Sequence, residues 1–169
     1  MPMTTPAIFI ERADHNLSAS DYVEWAISML EQDFDSPSLR ILASLDGSSS
    51  HEADDYFCRA IRELHISAPN PKENRRAFAC DIATWLVAGT LDAKIGVRQL
   101  SGICRDFDYA EDYLVWLYLE DALADIEAGL WPHAYDSLTT ANFEETVRNE
   151  ARQFLKTLSE TGNHSVPED

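Results

Sequence analysis

The sequence predicts an all-α protein: a single-domain bundle of six or seven helices with a central apolar helix near residues 110–128. Two observations point there. Apolar residues recur at three- and four-residue spacings along the chain, and capping residues (Ser, Asn, Pro) open most of those stretches. Only 6 Gly and 7 Pro are present, too few turn formers for a many-stranded sandwich or barrel. At 169 residues and 45% hydrophobic content the chain has the length and apolar mass for one domain with a real core.

Residues 1–17 read as an N-terminal arm, in which Ala7-Ile8-Phe9-Ile10 is a short strand or an extended segment laid on the core. The helical domain spans 18–160. Its first helix opens at Ser18 or Ser20, where Ser18-x-x-Asp21 pairs a capping hydroxyl with a first-turn carboxylate. Val23, Ala26, Ile27 and Leu30 form its apolar stripe, widened by Tyr22, Trp25 and Met29. Ser36-Pro37 starts a short second helix, because proline at the first helical position loses no hydrogen bond. It ends at the turn Asp46-Gly47-Ser48.

Ser49-x-x-Glu52 marks a third helix, with Phe57, Ile61 and Leu64 inward. The linker Ser67-Ala68-Pro69-Asn70-Pro71 leads into a fourth, capped by Asn70 and stopped by Gly89. A weaker helix covers Asp92 to Cys104, where Gly96 and Gly102 each cost about 1 kcal/mol against alanine. The sixth, Ala110 to Ala128, carries six consecutive apolar residues, 114–119, the mark of a helix contacted from several sides. The last runs from about Ala141 to Ser159, and the polar residues 161–169 are expected to fray.

Charge narrows the function classes. Thirteen Lys and Arg face 30 Asp and Glu, a net charge of −17, and such a field repels nucleic-acid backbones and anionic membranes. No apolar run reaches the length of a membrane span, and the first residues lack a basic n-region and a long apolar run. Cys58, Cys80 and Cys104 are odd in number and widely spaced, which favours a reducing cytoplasm and buried, inert thiols. The charge is also segregated. Residues 13–58 hold ten acids and one base, Arg40; residues 59–105 hold eight bases and four acids; residues 106–147 hold eleven acids and no Lys or Arg. Either opposite signs pair within the bundle, or an acidic face remains as a docking surface for a basic partner.

Catalytic signatures are missing. His15, His51, His65, His133 and His164 show no metal-ligand spacing, and no GxSxG, P-loop, GxGxxG or ExxH pattern occurs. The sequence therefore assigns no catalytic or metal residues and no cofactor. The nearest approach to a metal site is the stripe Tyr118, Asp121, Asp125 on the sixth helix. Asp106, Asp108, Glu111, Asp112, Asp125 and Glu127 form the candidate acidic surface.

The runs Tyr22-Val23-Glu24-Trp25-Ala26, Ser36-Pro37-Ser38-Leu39-Arg40-Ile41-Leu42-Ala43, Asp55-Tyr56-Phe57 and Leu119-Glu120-Asp121-Ala122-Leu123 carry a further signal. Together they resemble a group of small bacterial all-helical proteins of unassigned function. That resemblance implies a bacterial cytoplasmic helical protein and brings no functional residues. The reading that follows is an acidic interaction factor of the immunity or antitoxin type, masking a basic protein partner, with no nucleic acid or membrane involved. The alternatives are a carboxylate-based metal-dependent hydrolase on the sixth helix and a scaffold subunit of a larger complex. One structural expectation is specific: Arg40 should bridge to Glu120 or Asp121, because carboxylates directly following the apolar run need a donor.

Overall fold

The computed structural model describes residues 3–14, 16–135 and 138–162, and every regular element among them is helical. Eight α-helices follow one another: α1 (Thr5–Ala13), α2 (Ala19–Glu31), α3 (Pro37–Ser44), α4 (Ser50–Glu63), α5 (Pro71–Ala88), α6 (Ala93–Asp106), α7 (Leu114–Glu127) and α8 (Phe143–Gly162). A single 3-10 turn, Glu111–Tyr113, leads into α7. None of the described helices is long and apolar enough to cross a membrane. The chain divides into two compact units, Met1–Phe78 and Ala79–Asp169. The division falls inside α5, not at the Ser67–Pro71 linker that precedes it.

The capping chemistry sits where the sequence predicts. The Ser36 hydroxyl accepts from the Leu39 amide at 3.2 Å ahead of Pro37, and the Ser49 hydroxyl from the Glu52 amide at 3.3 Å. Asp92 caps α6 by accepting from Lys94 and Ile95. At α2 the Asp21 carboxylate reaches back instead, taking the Ser18 amide at 2.8 Å and its hydroxyl at 2.6 Å.

The N-terminal arm is a correction: Ala7–Ile10 lie within α1. The Thr4 hydroxyl accepts from the Ala7 amide at 3.3 Å, Pro6 stands in the first turn, and Ala7 and Ile8 are buried. Four apolar residues show no period, so the cap was the only local sign of a helix. At the other end α8 continues to Gly162, and residues 163–169 lie outside the described residues.

In the first unit the core is built around Phe57. The rings of Phe9, Tyr22 and Trp25 stand 5.9, 5.2 and 4.8 Å from it, centroid to centroid. This cluster fixes the rotation of α2: Tyr22, Trp25, Ala26 and Met29 are buried, while Ile27 is exposed. The stripe expected through Val23, Ile27 and Leu30 is thus displaced around the helix, because burying two large aromatics removes more apolar surface from water. Leu39 and Leu42 of α3 complete the core. The Glu63 carboxylate holds the start of α3, accepting the Ser38 amide at 2.9 Å and its hydroxyl at 2.7 Å. Those two bonds keep the Glu63 carboxyl below its ordinary range.

In the second unit Trp116 and Tyr113 pack edge-on against Phe154 of α8, at 5.5 and 4.9 Å. Trp116, Leu119, Ala122 and Leu123 line the buried side of α7, but Tyr118 is 48% exposed and Asp121 open. The six-residue apolar run therefore lies on a helix with one face in solvent, a second correction. The connection to α8 is pinned by Tyr135, whose hydroxyl donates to Glu150 at 2.5 Å. Burial and that bond push its pKa up to about 12.

Helix α6 runs unbroken through both of its glycines, for different reasons. A Cβ on Gly96 would lie 2.6 Å from the buried Leu86 side chain, so the two helices approach through this position. A Cβ on Gly102 meets nothing within 4 Å. Gly102→Ala should therefore raise stability by about 1 kcal/mol through helix propensity. Gly96→Ala should lower it, overpacking costing about 1–3 kcal/mol before that same gain is subtracted. Urea midpoints at unchanged m-value would check both signs.

Candidate functional site

The bases of α6 meet the acids of α7. Lys94 Nζ lies 3.1 Å and Arg98 Nη2 2.9 Å from the Glu127 carboxylate, and Arg105 pairs with Glu120. The order, early α6 with late α7 and late α6 with early α7, is that of an antiparallel hairpin. Lys94 and then Arg98 hold the Glu127 carboxyl below its ordinary range. Asp125 accepts the His133 amide at 3.1 Å. Two members of the expected acidic surface, Asp125 and Glu127, are thus engaged at the far end of α7. At 1.5 Å per residue that end is about 20 Å from Asp112.

The expected bridge from Arg40 is corrected, since each of its members is otherwise placed. Arg40 reaches back to Asp35, with Nε–Oδ1 at 2.6 Å and a second bond from Nη2. Its side chain is 69% exposed, so the arginine snorkels from α3 and closes a local fork. Glu120 takes Arg105, a base only fifteen positions away, and Asp121 faces solvent.

What remains of the acidic surface is the segment between α6 and α7. Asp106, Asp108, Glu111 and Asp112 are all exposed, and among the described residues Asp108, Glu111 and Asp112 have no ion-pair partner. Their backbone is unusual. The α6 exit is closed by two consecutive non-glycine residues in left-handed conformation, Asp108 at φ 51° and Tyr109 at φ 60°. The Asp108 amide donates to Arg105 and the Tyr109 amide to Cys104, at 3.2 and 3.0 Å. Left-handed geometry costs an L-residue roughly 1–2 kcal/mol, and glycine would avoid it. The consequence is an aromatic ring 58% exposed, on a residue within three positions of four carboxylates in the chain.

The sequence did not single out the polar cluster of the first unit. Arg12 on α1 donates to both oxygens of Asp54 on α4, at 2.7 and 3.2 Å, and the Tyr22 hydroxyl on α2 donates to the same carboxylate at 2.7 Å. Arg12 also lies 3.3 Å from the Cys58 sulfur and 5.7 Å above the Phe57 ring. These groups border a cleft of about 610 Å³ with Asn74 and Arg75 on its other wall. Its chemistry is that of a fastener. The Arg12 bonds hold the Asp54 carboxyl low, Asp54 holds the Arg12 proton, and burial followed by the Asp54 bond keeps the Tyr22 phenol protonated. Burial likewise raises the Cys58 thiol. A base that is already paired and a thiol kept protonated suit three-helix attachment better than nucleophilic catalysis. No periodicity could reveal this cluster, because its members are separated by up to 46 residues.

Among the described residues no three His, Cys, Asp or Glu side chains gather as a metal site, and Asp121 and Asp125 stand as one open and one engaged carboxylate. His15 and His164 lie outside the described residues. Cys104 is buried, and Cys58 and Cys80 are half-buried. Comparisons with protein-family models, with curated proteins and with solved structures find no match.

The fastener carries a pH prediction. With both partners more than a third open to water, Asp54→Ala should cost about 1–2 kcal/mol after screening, and Tyr22→Phe less than ~1. A lowered carboxyl stabilises the fold above its unfolded value near ~4 and loses that contribution as pH falls through the lower folded value. The stability gap between the wild-type protein and Asp54→Asn should therefore be full at neutral pH and shrink in acid. A gap independent of pH would show that the carboxylate's charge contributes nothing.

Proposed function

We propose that the protein is an acidic interaction factor that masks a basic protein partner, in the manner of an immunity or antitoxin-type protein, through the turn between α6 and α7. The observation that carries this reading is the pairing of strain with charge: Tyr109 at positive φ, exposed, beside Asp106, Asp108, Glu111 and Asp112. Backbone strain persists where something other than stability maintains it, and a tyrosine in an acidic rim is the composition of a docking anchor. Tyr118 of α7 is exposed as well. The carboxylates would steer a basic partner and the ring would hold it. The net charge of −17 and the resemblance to small bacterial helical proteins agree with this assignment and with a cytoplasmic setting.

Affinity purification from the native cell should recover a specific basic protein whose association rate falls steeply as salt rises. The combined change Asp108→Asn, Glu111→Gln, Asp112→Asn should slow association, whereas Glu127→Gln, already paired within the fold, should leave it unchanged. Tyr109→Gly should raise stability by about 1 kcal/mol while weakening the complex, because it relieves the strain and removes the ring. Binding indifferent to salt and to these changes would overturn the reading.

A further inference from the structure

A second feature of the Ala79–Asp169 unit is independent of the acidic turn. Arg148 on α8 is a cation without a carboxylate. Its Nε is buried and has no hydrogen-bond partner, and no ion pair to it exists among the described residues. In a chain with more than twice as many acids as bases, an uncommitted arginine is unexpected. A buried guanidinium donor left without an acceptor costs about 1–3 kcal/mol, and planar bidentate recognition of carboxylates is what arginine does best.

The surroundings fit a ligand for it. Arg148 borders a cavity of about 180 Å³ whose rim is the turn after α5. Gly89 forms that turn at φ 70°, and a Cβ there would stand 3.4 Å from Arg148 Nη2, so the missing side chain leaves the guanidinium its place. Two carboxylates also line the cavity, Asp92 at the start of α6 and Glu144, one turn before Arg148 on α8. Asp92 uses one oxygen, Oδ1, to cap α6, and its other oxygen has no partner among the described residues. Asp92 and Glu144 are also walls of an adjoining cavity of about 160 Å³, lined on its apolar side by Leu123, Ile126 and Phe143. One cation, two carboxylates and an apolar recess therefore line two cavities that share Asp92, Ala93 and Glu144.

From this arrangement we propose that the unit binds a small α-amino acid with an apolar side chain. Its carboxylate lies on Arg148, its ammonium between Asp92 and Glu144, and its side chain against Leu123, Ile126 and Phe143. The three-point pattern excludes simple anions, which the two carboxylates repel, and simple amines, which Arg148 repels. No chemical step is implied.

The test is calorimetry and thermal shift on the full chain with L-leucine and L-phenylalanine at up to ~10 mM, beside N-acetyl-leucine, leucinamide, glycine and inorganic phosphate. The proposal expects saturable binding of leucine or phenylalanine, weakened about tenfold or more when either the ammonium or the carboxylate is blocked. Glycine, lacking the side chain, should bind more weakly. Arg148→Met should abolish binding, and Glu144→Gln, exposed and harmless to folding, should weaken it. If Arg148→Met unfolds the chain, Arg148→Lys and Glu144→Gln carry the test alone. Absence of binding by both amino acids, equal binding of phosphate, or binding unchanged in Glu144→Gln would overturn the proposal. None of these outcomes bears on the acidic turn, whose partner is scored separately.

Discussion

Thirty carboxylates share thirteen lysine and arginine side chains in this protein, and where those cations sit decides which helices pack and which surfaces stay charged. Helix α6 holds three of them in a row facing α7, Lys94, Arg98 and Arg105, and they neutralise Glu127 and Glu120. The pairs are exposed, so their contribution is orientation more than stability. They set α6 and α7 antiparallel and leave the burial of Val97, Leu100, Trp116 and Leu119 to hold them together. In the first unit Arg12 does comparable work from a more sheltered position, gathering Asp54 and, through it, Tyr22. Cations placed at these helix contacts are not available to the turn between α6 and α7. That turn keeps its carboxylates.

Internal pairing of the segregated charge is thus partial. Glu120 and Glu127 pair internally with the basic segment before them. Among the described residues Asp108, Glu111 and Asp112 do not. The distinction follows from the hairpin: Arg105 is the last base of α6, and the chain then runs through 42 residues, 106–147, without another Lys or Arg. The exit from α6 within this acidic stretch is closed by two left-handed residues, Asp108 and Tyr109.

Local chemistry was legible in the sequence and tertiary geometry was not. Ser36-Pro37, Ser49, Asn70-Pro71 and Asp92 mark helix starts because capping depends on a few neighbouring backbone amides. The rotation of α2 was not legible, because it depends on Phe57, more than thirty residues away, drawing Tyr22 and Trp25 inward. The same limit explains Arg40. A lone base in an acidic segment suggested a distant buried partner, yet Asp35 lay one turn away and solvent was open to both. The six apolar residues of α7 misled for a related reason: hydrophobicity says which side chains can be buried, and only the neighbours decide which are. Of the candidate site, the acids were readable as charge, while the positive φ of Tyr109 that organises them leaves no sign in the sequence.

The dependence of the melting temperature on salt, between ~0.01 and ~0.15 M, tests most directly the claim that internal pairing is incomplete. Over this range the Debye length falls from about 30 to about 8 Å. Unpaired like charges predict a melting temperature that rises with salt, and a smaller rise once Asp108, Glu111 and Asp112 are neutralised together as Asn and Gln. A melting temperature that stays flat or falls with salt, or a rise untouched by those three changes, would contradict the account.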